Sequence, residues 1–215
     1  PLAVLDAGYL TALRTGAASG AATDALARRD ARVAAVFGAG VQGRTQLEAV
    51  AAVRRLVKAY VVDVDAGAAA AFAAEMTARL GFEVAPADAA AALREADIVA
   101  TATTAATPVF EDGDLKPGVH INAVGSYKPH VREIPGATVR RASVFVDERL
   151  SALEEAGDLI IPLREGLIGP DHIKAEIGEV LAGAAPGRRS EDEITLFKSV
   201  GNAVEDLAVA GLVLG

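Results

Sequence analysis

The sequence contains no cysteine, no tryptophan and one methionine, and aromatic residues make up only 4% of it. Without cysteine there is no disulfide framework, no thiolate metal site and no cysteine nucleophile. With so few rings the core must be aliphatic, and many helix faces are alanine. Long uncharged apolar runs are missing too. None reaches the ~18 residues of a membrane span, although the mean hydropathy is +0.31. Basic charge is in deficit: 21 Lys and Arg stand against 29 Asp and Glu, a net charge of −8. Such a chain is a poor partner for nucleic acid or an anionic membrane. The first residues, Pro1-Leu2-Ala3-Val4-Leu5-Asp6, have no basic segment ahead of an apolar block. They are expected not to be a signal peptide, and a cytoplasmic location is the expectation. No His, Asp or Glu cluster has metal-ligand spacing, so no metal is expected. No G-x-S-x-G elbow occurs.

The 215 residues suit one large or two small domains. Charge is uneven along them. Residues 1–60 carry 8 basic against 4 acidic side chains, and the remainder 13 against 25. The basic part is where a phosphate-bearing ligand is expected. Asp6 reads as the N-cap of a helix through Leu10–Arg29. Apolar strands then alternate with helical stretches. The strands read as Arg32–Phe37, Ala59–Val64, Phe82–Val84, Asp97–Ala102, Val119–Val124 and Ser143–Asp147. Helices read as Val41–Leu56, Ala66–Leu80 and Ala87–Arg94. That alternation implies βαβ units and a parallel sheet covered on both faces. Beyond Leu150 the rhythm changes: Ile173–Leu181 reads as a helix, Glu193–Phe197 as a strand and Asn202–Leu214 as an apolar helix.

One motif carries chemistry. Gly38-Ala39-Gly40-Val41-Gln42-Gly43 fits G-x-G-x-x-G, follows a strand and opens a helix. Asp63 ends the next strand, 20 positions after Gly43. In that context the pattern points to a dinucleotide. Gly38 permits the tight turn, Gly40 lets backbone approach a pyrophosphate, and Gly43 lets helix and strand pack closely. The free N–H groups and the dipole of the helix would hold the phosphate. Asp63 would accept hydrogen bonds from ribose hydroxyls. A 2′-phosphate would meet Asp63 and Asp65, so NAD is favoured over NADP, with Arg44 the residue that could soften the preference. The carboxyl ends of the fourth and fifth strands should face the nicotinamide. They carry Thr101–Thr104 and Asn122–Ser126, whose hydroxyls read equally well as strand caps. His120 reads as a strand residue, His172 as a helix start and His130 as a solvated loop residue.

Several stretches together resemble the ornithine cyclodeaminase/mu-crystallin family. They are Leu10–Ser19, Gly38–Gly43, Leu115–Ser126, Glu155–Asp158, Ile177–Val180 and Leu196–Asp206. The resemblance implies an NAD(P)-dependent enzyme acting on amino or cyclic imino acids, dimeric through a second domain. Members include ornithine cyclodeaminases, alanine dehydrogenases and ketimine or pyrroline-2-carboxylate reductases. It further implies that Arg14 contacts the substrate carboxylate, for which its planar fork is suited. By the same carry-over Val41 and Gln42 lie at the pyrophosphate and Asp63 at the ribose. Thr103, Asn122, Ala123, Val124 and Ser199 would line the nicotinamide side.

Two departures bear on function. Cyclodeaminases carry an Asp in the loop after the fifth strand, where this chain has Tyr127. A phenol with an ordinary pKa near 10 cannot serve as an ionised carboxylate base. The form Ser126-Tyr127-Lys128-Pro129 followed by Arg132-Glu133 looks more like the ketimine-reductase side. Family members also carry roughly a hundred residues, over half a typical domain, ahead of the Arg14 helix, and this chain is expected to start after them. The expectation is therefore a Rossmann-type, doubly wound α/β sheet over 15–185. Residues 1–14 and 186–215 are expected to be remnants of a second α+β substrate and dimerisation domain. The expected function is NAD-dependent hydride transfer at the Cα–N bond of a small imino acid, with Arg14, Tyr127 and Lys128 catalytic and His130 a further proton-donor candidate. The alternatives are an ornithine cyclodeaminase, an alanine dehydrogenase, and a non-catalytic binding protein or inert fragment.

Overall fold

The computed structural model describes residues 4–214. Its sheet has eight strands: β1 Val33–Phe37, β2 Lys58–Val62, β3 Glu83–Pro86, β4 Ile98–Thr101, β5 His120–Ala123, β6 Ser143–Val146, β7 Ile173–Glu176 and β8 Thr195–Lys198. Their spatial order is β3-β2-β1-β4-β5-β8-β6-β7. Every neighbouring pair is parallel. The helices are α1 Ala7–Leu26, α2 Val41–Val53, α3 Ala66–Leu80, α4 Ala89–Glu95, α5 Gly136–Arg141, α6 Arg149–Glu155, α7 Gly157–Arg164, α8 Ile177–Leu181 and α9 Ala203–Leu214. This is the expected Rossmann-type sheet. From β1 the chain winds outward to β2 and β3, then crosses to β4 on the other side. The crevice outside the carboxyl ends of β1 and β4 is thus the switch point at which such sheets bind ligands.

Alternation along each strand divides the core between two faces. From β1, Ala34 and Val36 pack with Leu47, Val50, Phe72 and Met76 of α2 and α3. Ala35 and Phe37 point the other way, toward Leu93, Val139 and Leu159. Helix α1, capped by the Asp6 carboxylate as expected, covers Phe145 and Phe197 through Ala22 and Leu26. It also lies close on α2. A Cβ at Gly16 would sit 2.7 Å from the Thr45 carbonyl oxygen, so the small residue sets the spacing that places Arg14.

The second half departs from the expectation in three places. Ile173–Glu176 is an edge strand, and only Ile177–Leu181 is helical. Ile173 and Ala175 are buried while Lys174 between them is exposed, the period of a strand. Glu176 and Glu179 then form a reciprocal capping box that opens α8. The short helices α5, α6 and α7 are additions to the expected elements, being too brief to display a 3.6-residue period. Strand β8 comes from 186–215, the stretch assigned with 1–14 to a second domain. It nevertheless lies between β5 and β6, so the boundary expected at 185 runs through the sheet.

Asp97 pins the amino-terminal edge. It accepts from the backbone N–H groups of Arg32 (2.8 Å) and Val33 (3.0 Å) and pairs with Arg28 (2.9 Å) and Lys116 (2.7 Å). Burial opposes its charge, yet these donors together hold the carboxyl below its ordinary value. A depressed folded value means the stabilisation is complete above the unfolded value and drains as pH falls through the folded one. Asp97→Asn is expected to lose about 3 kcal/mol at neutral pH. Urea unfolding as a function of pH should show its acid limb flattened relative to wild type.

Candidate functional site

The glycine loop joins β1 to α2. Gly38 adopts φ +101°, and a Cβ there would lie 2.5 Å from the Ala102 carbonyl oxygen. A Cβ at Gly43 would collide with the Gly38 carbonyl. Gly40 differs, since nothing lies within 4 Å of the place a Cβ would take. Gly40 is also the N-cap of α2 and supplies no side-chain hydrogen bond. The first amides of α2, beginning with Val41, therefore open onto free space at the positive end of a helix.

Asp63 follows β2 and faces this loop. Its Oδ2 accepts the Ala39 N–H at 2.7 Å and its Oδ1 the Asp65 N–H at 2.9 Å. Asp65 is turned away to cap α3, accepting from Gly67 and Ala68. Arg44 donates to the Ala39 and Gly40 carbonyls, pairs with Glu75 at 2.8 Å and stacks on Phe72. Its guanidinium is thus committed to the loop.

A groove of about 600 Å³ runs past Gly38, Gly40, Asp63, Val64, Thr103 and Pro108. A second cavity of about 360 Å³ adjoins it. Ala102, Thr103 and Thr104 line both. The second cavity gathers Arg14, Gln42, Thr103, Val124, Tyr127 and Ser199, six residues assigned to one site from distant stretches of sequence. The Gln42 Oε1 is buried there without a hydrogen-bond partner among the described residues. Ser199 donates its hydroxyl to Asp147 (2.9 Å), whose same oxygen accepts Val200 N–H (2.8 Å) and Gly201 N–H (2.7 Å). Asp147 thereby shapes the loop after β8 and leaves the lone pairs of Ser199 for the cavity.

Arg14 projects from α1 into this cavity between two carboxylates. Nη1 donates to Glu205 at 3.1 Å, and Nε lies 3.5 Å from Asp206. Gly201, at φ +92°, packs against the guanidinium plane, where any Cβ would strike it. Burial, together with Asp147 and Asp206, pushes the Glu205 carboxyl up despite the opposing pull of Arg14. Sequence reasoning gives Glu205 and Asp206 no role, because a charged pair at the start of an apolar helix looks like any solvated first turn.

Not every expected residue reaches the cavity. Asn122 and Ala123 are fully buried within β5. The Asn122 amide donates to Thr23 Oγ1 at 2.9 Å and its carbonyl meets His120 at 3.2 Å, so it points toward α1. His120 bonds Thr195 at 2.9 Å; burial, with Arg188 nearby, pushes its imidazole down to about 3, a neutral structural residue. Lys128 is exposed, its ammonium 5.6 Å from the centre of the Tyr127 ring, at the mouth rather than the floor.

The sequence profile of the ornithine cyclodeaminase/mu-crystallin family matches residues 1–214. The chain belongs to this family. A Δ1-pyrroline-2-carboxylate reductase of Bacillus cereus is 46% identical over 212 residues, which cover 98% of this chain and 65% of that protein. An alanine dehydrogenase of Archaeoglobus fulgidus is 38% identical over 99% of this chain and 65% of its own length. Among solved structures, the Thermococcus litoralis Δ1-pyrroline-2-carboxylate reductase in complex with NADH and L-proline superimposes with a TM-score of 0.94 at 47% identity, covering 96% of this chain and 64% of that one. An archaeal alanine dehydrogenase dimer with bound NAD gives 0.95 at 38% identity, over 100% and 66%. The chain thus spans about 65% of the length of the curated relatives it matches.

Proposed function

We propose that this family member binds NAD in the groove between Asp63 and Thr103 and takes part in hydride transfer at the Cα–N bond of a small cyclic imino acid, as a Δ1-pyrroline-2-carboxylate reductase does. The observation that carries the reading is the placement of Arg14. Its guanidinium stands in a cavity that adjoins the glycine-loop groove and beside Gln42, Tyr127 and Ser199. The relative bound to NADH and L-proline supports the same pairing of ligands.

The residues fit the dinucleotide. The uncapped amides opposite the open space at Gly40 suit a pyrophosphate, and both Asp63 oxygens retain lone pairs for ribose hydroxyls. The orphaned Gln42 carbonyl oxygen offers a further acceptor. When bound, NADH supplies the hydride. Arg14, steadied by Glu205 and Asp206, keeps Nη2 for a substrate carboxylate and so orients the imine carbon. Tyr127 stands at the mouth as a hydroxyl donor toward the imine nitrogen, with Lys128 beside it. An exposed apolar face on α9 (Val204, Leu207, Leu212, Val213) and on α1 (Tyr9) suits a second domain or partner subunit. We place the substrate's remaining contacts and a dimer contact there.

Titration of the purified chain with NADH and NADPH, followed by nicotinamide fluorescence, tests the cofactor. NADH is expected to bind at least tenfold more tightly, about 1.4 kcal/mol, because Asp63 and Asp65 repel a 2′-phosphate while Glu75 and the loop carbonyls engage Arg44. Tighter NADPH binding would reassign Arg44 as a phosphate ligand. Binding of neither would sink the reading. Imino-acid-dependent loss of NADH absorbance separates an enzyme from a binding protein.

A further inference from the structure

Beneath the second cavity lie three fully buried ionisable side chains, Glu133, Asp158 and Lys198. They come from the segment before α5, the start of α7 and the end of β8. Lys198 Nζ is 3.1 Å from Asp158 Oδ2. Asp158 Oδ1 accepts the backbone N–H groups of Glu133 (2.8 Å) and Ile134 (3.0 Å). Glu133 Oε1 in turn accepts the Thr103 N–H at 2.7 Å. Its Oε2 has no partner among the described residues. The same carboxyl presses on Gly125, where it would collide with any Cβ. Thr103 and Gly125 both line the cavity, on the loops leaving β4 and β5. One buried carboxyl therefore touches both loops from behind, and an ion pair fixes the backbone that carries it.

We propose that Glu133 is a positioning residue that locks the β4 and β5 exit loops together and so sets where the nicotinamide ring rests, with Asp158 and Lys198 as its support. The placement of the ring rests on the NAD reading above; the lock itself does not. Groups buried this completely are costly unless they are paired or hydrogen-bonded, and they cluster at functional sites. Burial, with Asp158 beside it, pushes the Glu133 carboxyl up, against the pull of Lys198 and the Thr103 N–H. These three are the groups that face it: Asp158 from α7, Lys198 from β8 and Thr103 from the β4 loop. The Thr103 N–H donates to either form of the carboxyl, so the lock rests on the contact and not on titration. Glutamine keeps an oxygen that can accept the Thr103 N–H and nearly the same shape.

The test uses Glu133→Gln, Glu133→Ala and Gly125→Ala, with two readouts. Amide hydrogen exchange at Thr103 reports the lock in the free chain. NADH affinity reports ring placement. Glu133→Gln should keep Thr103 protected and bind NADH within threefold of wild type. Glu133→Ala should lose Thr103 protection and weaken NADH at least tenfold. Gly125→Ala, which drives a methyl into the carboxyl, should do the same and serves if Glu133→Ala does not fold. Unchanged Thr103 exchange in both would overturn the lock, and so would loss of protection in Glu133→Gln equal to that in Glu133→Ala. Failure of wild type to bind NADH would instead overturn the nicotinamide reading, and the Thr103 exchange would still decide the lock.

Discussion

Gly43→Ala is expected to abolish measurable NADH binding and to destabilise the fold, whereas Gly40→Ala three positions earlier should abolish binding alone. The two glycines serve different ends in the motif, and their surroundings differ accordingly. At Gly43 an added methyl meets the Gly38 carbonyl oxygen and comes within 3.2 Å of Val36 Cγ1. Backbone cannot yield there without lifting α2 off β1. That movement disturbs packing of Leu47 and Val50, and an overpacked contact of this kind loses about 1–3 kcal/mol. It also misaims the first amides of α2, so affinity should fall at least a hundredfold, about 2.7 kcal/mol.

At Gly40 the space is open and the backbone sits at φ −81° and ψ −170°, which alanine adopts freely. Stability should therefore change by less than about 0.5 kcal/mol, the weaker N-cap being offset by a stiffer unfolded chain. The new methyl instead occupies the place a pyrophosphate oxygen needs. Paired melting curves and fluorescence titrations distinguish these outcomes. Gly40→Ala with wild-type affinity would mean that no phosphate approaches this loop.

The glycine loop is legible in the sequence because its requirements are local. A strand, a tight turn and a helix start follow one another within a short stretch, and Asp63 falls at the spacing the unit imposes. Helix α3 is legible to the residue, Ala66–Leu80. Asp65 caps one end, and Gly81 in the left-handed region (φ +78°) closes the other. What escapes reading is decided by tertiary partners. Asn122 looks like a cavity residue because it stands near the carboxyl end of β5. Strand alternation and the hydroxyl of Thr23, 99 positions away, turn it toward α1. Glu133, Asp158 and Lys198 are charged residues that composition assigns to the surface. Only the joining of the segment before α5, α7 and β8 behind one cavity buries them. Ile173–Glu176 reads as helical because its four residues run directly into α8, and an edge strand this short has no period of its own to display.

Arg14→Ala is expected to lower kcat/KM for a cyclic imino acid by two to three orders of magnitude while leaving NADH affinity within about threefold, the loss corresponding to about 3–4 kcal/mol of a charge-assisted pair. The separation follows from position. Arg14 lines the cavity that adjoins the groove but not the groove itself, so its removal spares the pyrophosphate and ribose contacts. Folding should tolerate the change. Removing the guanidinium lets the Glu205 carboxyl rise further, which eases its repulsion with Asp147 and Asp206. Arg14→Lys sharpens the test. It keeps the charge beside Glu205 but not the planar fork. Recovery of only part of the lost activity would identify a bidentate carboxylate contact, and full recovery a purely electrostatic one. Because Nη1 already serves Glu205 and Asp206 lies beside Nε, Glu205→Gln should weaken substrate binding without matching the loss in Arg14→Ala. An Arg14→Ala protein with unchanged kcat/KM would remove the residue from the site and leave its two carboxylates with no purpose but to tie α9 to α1.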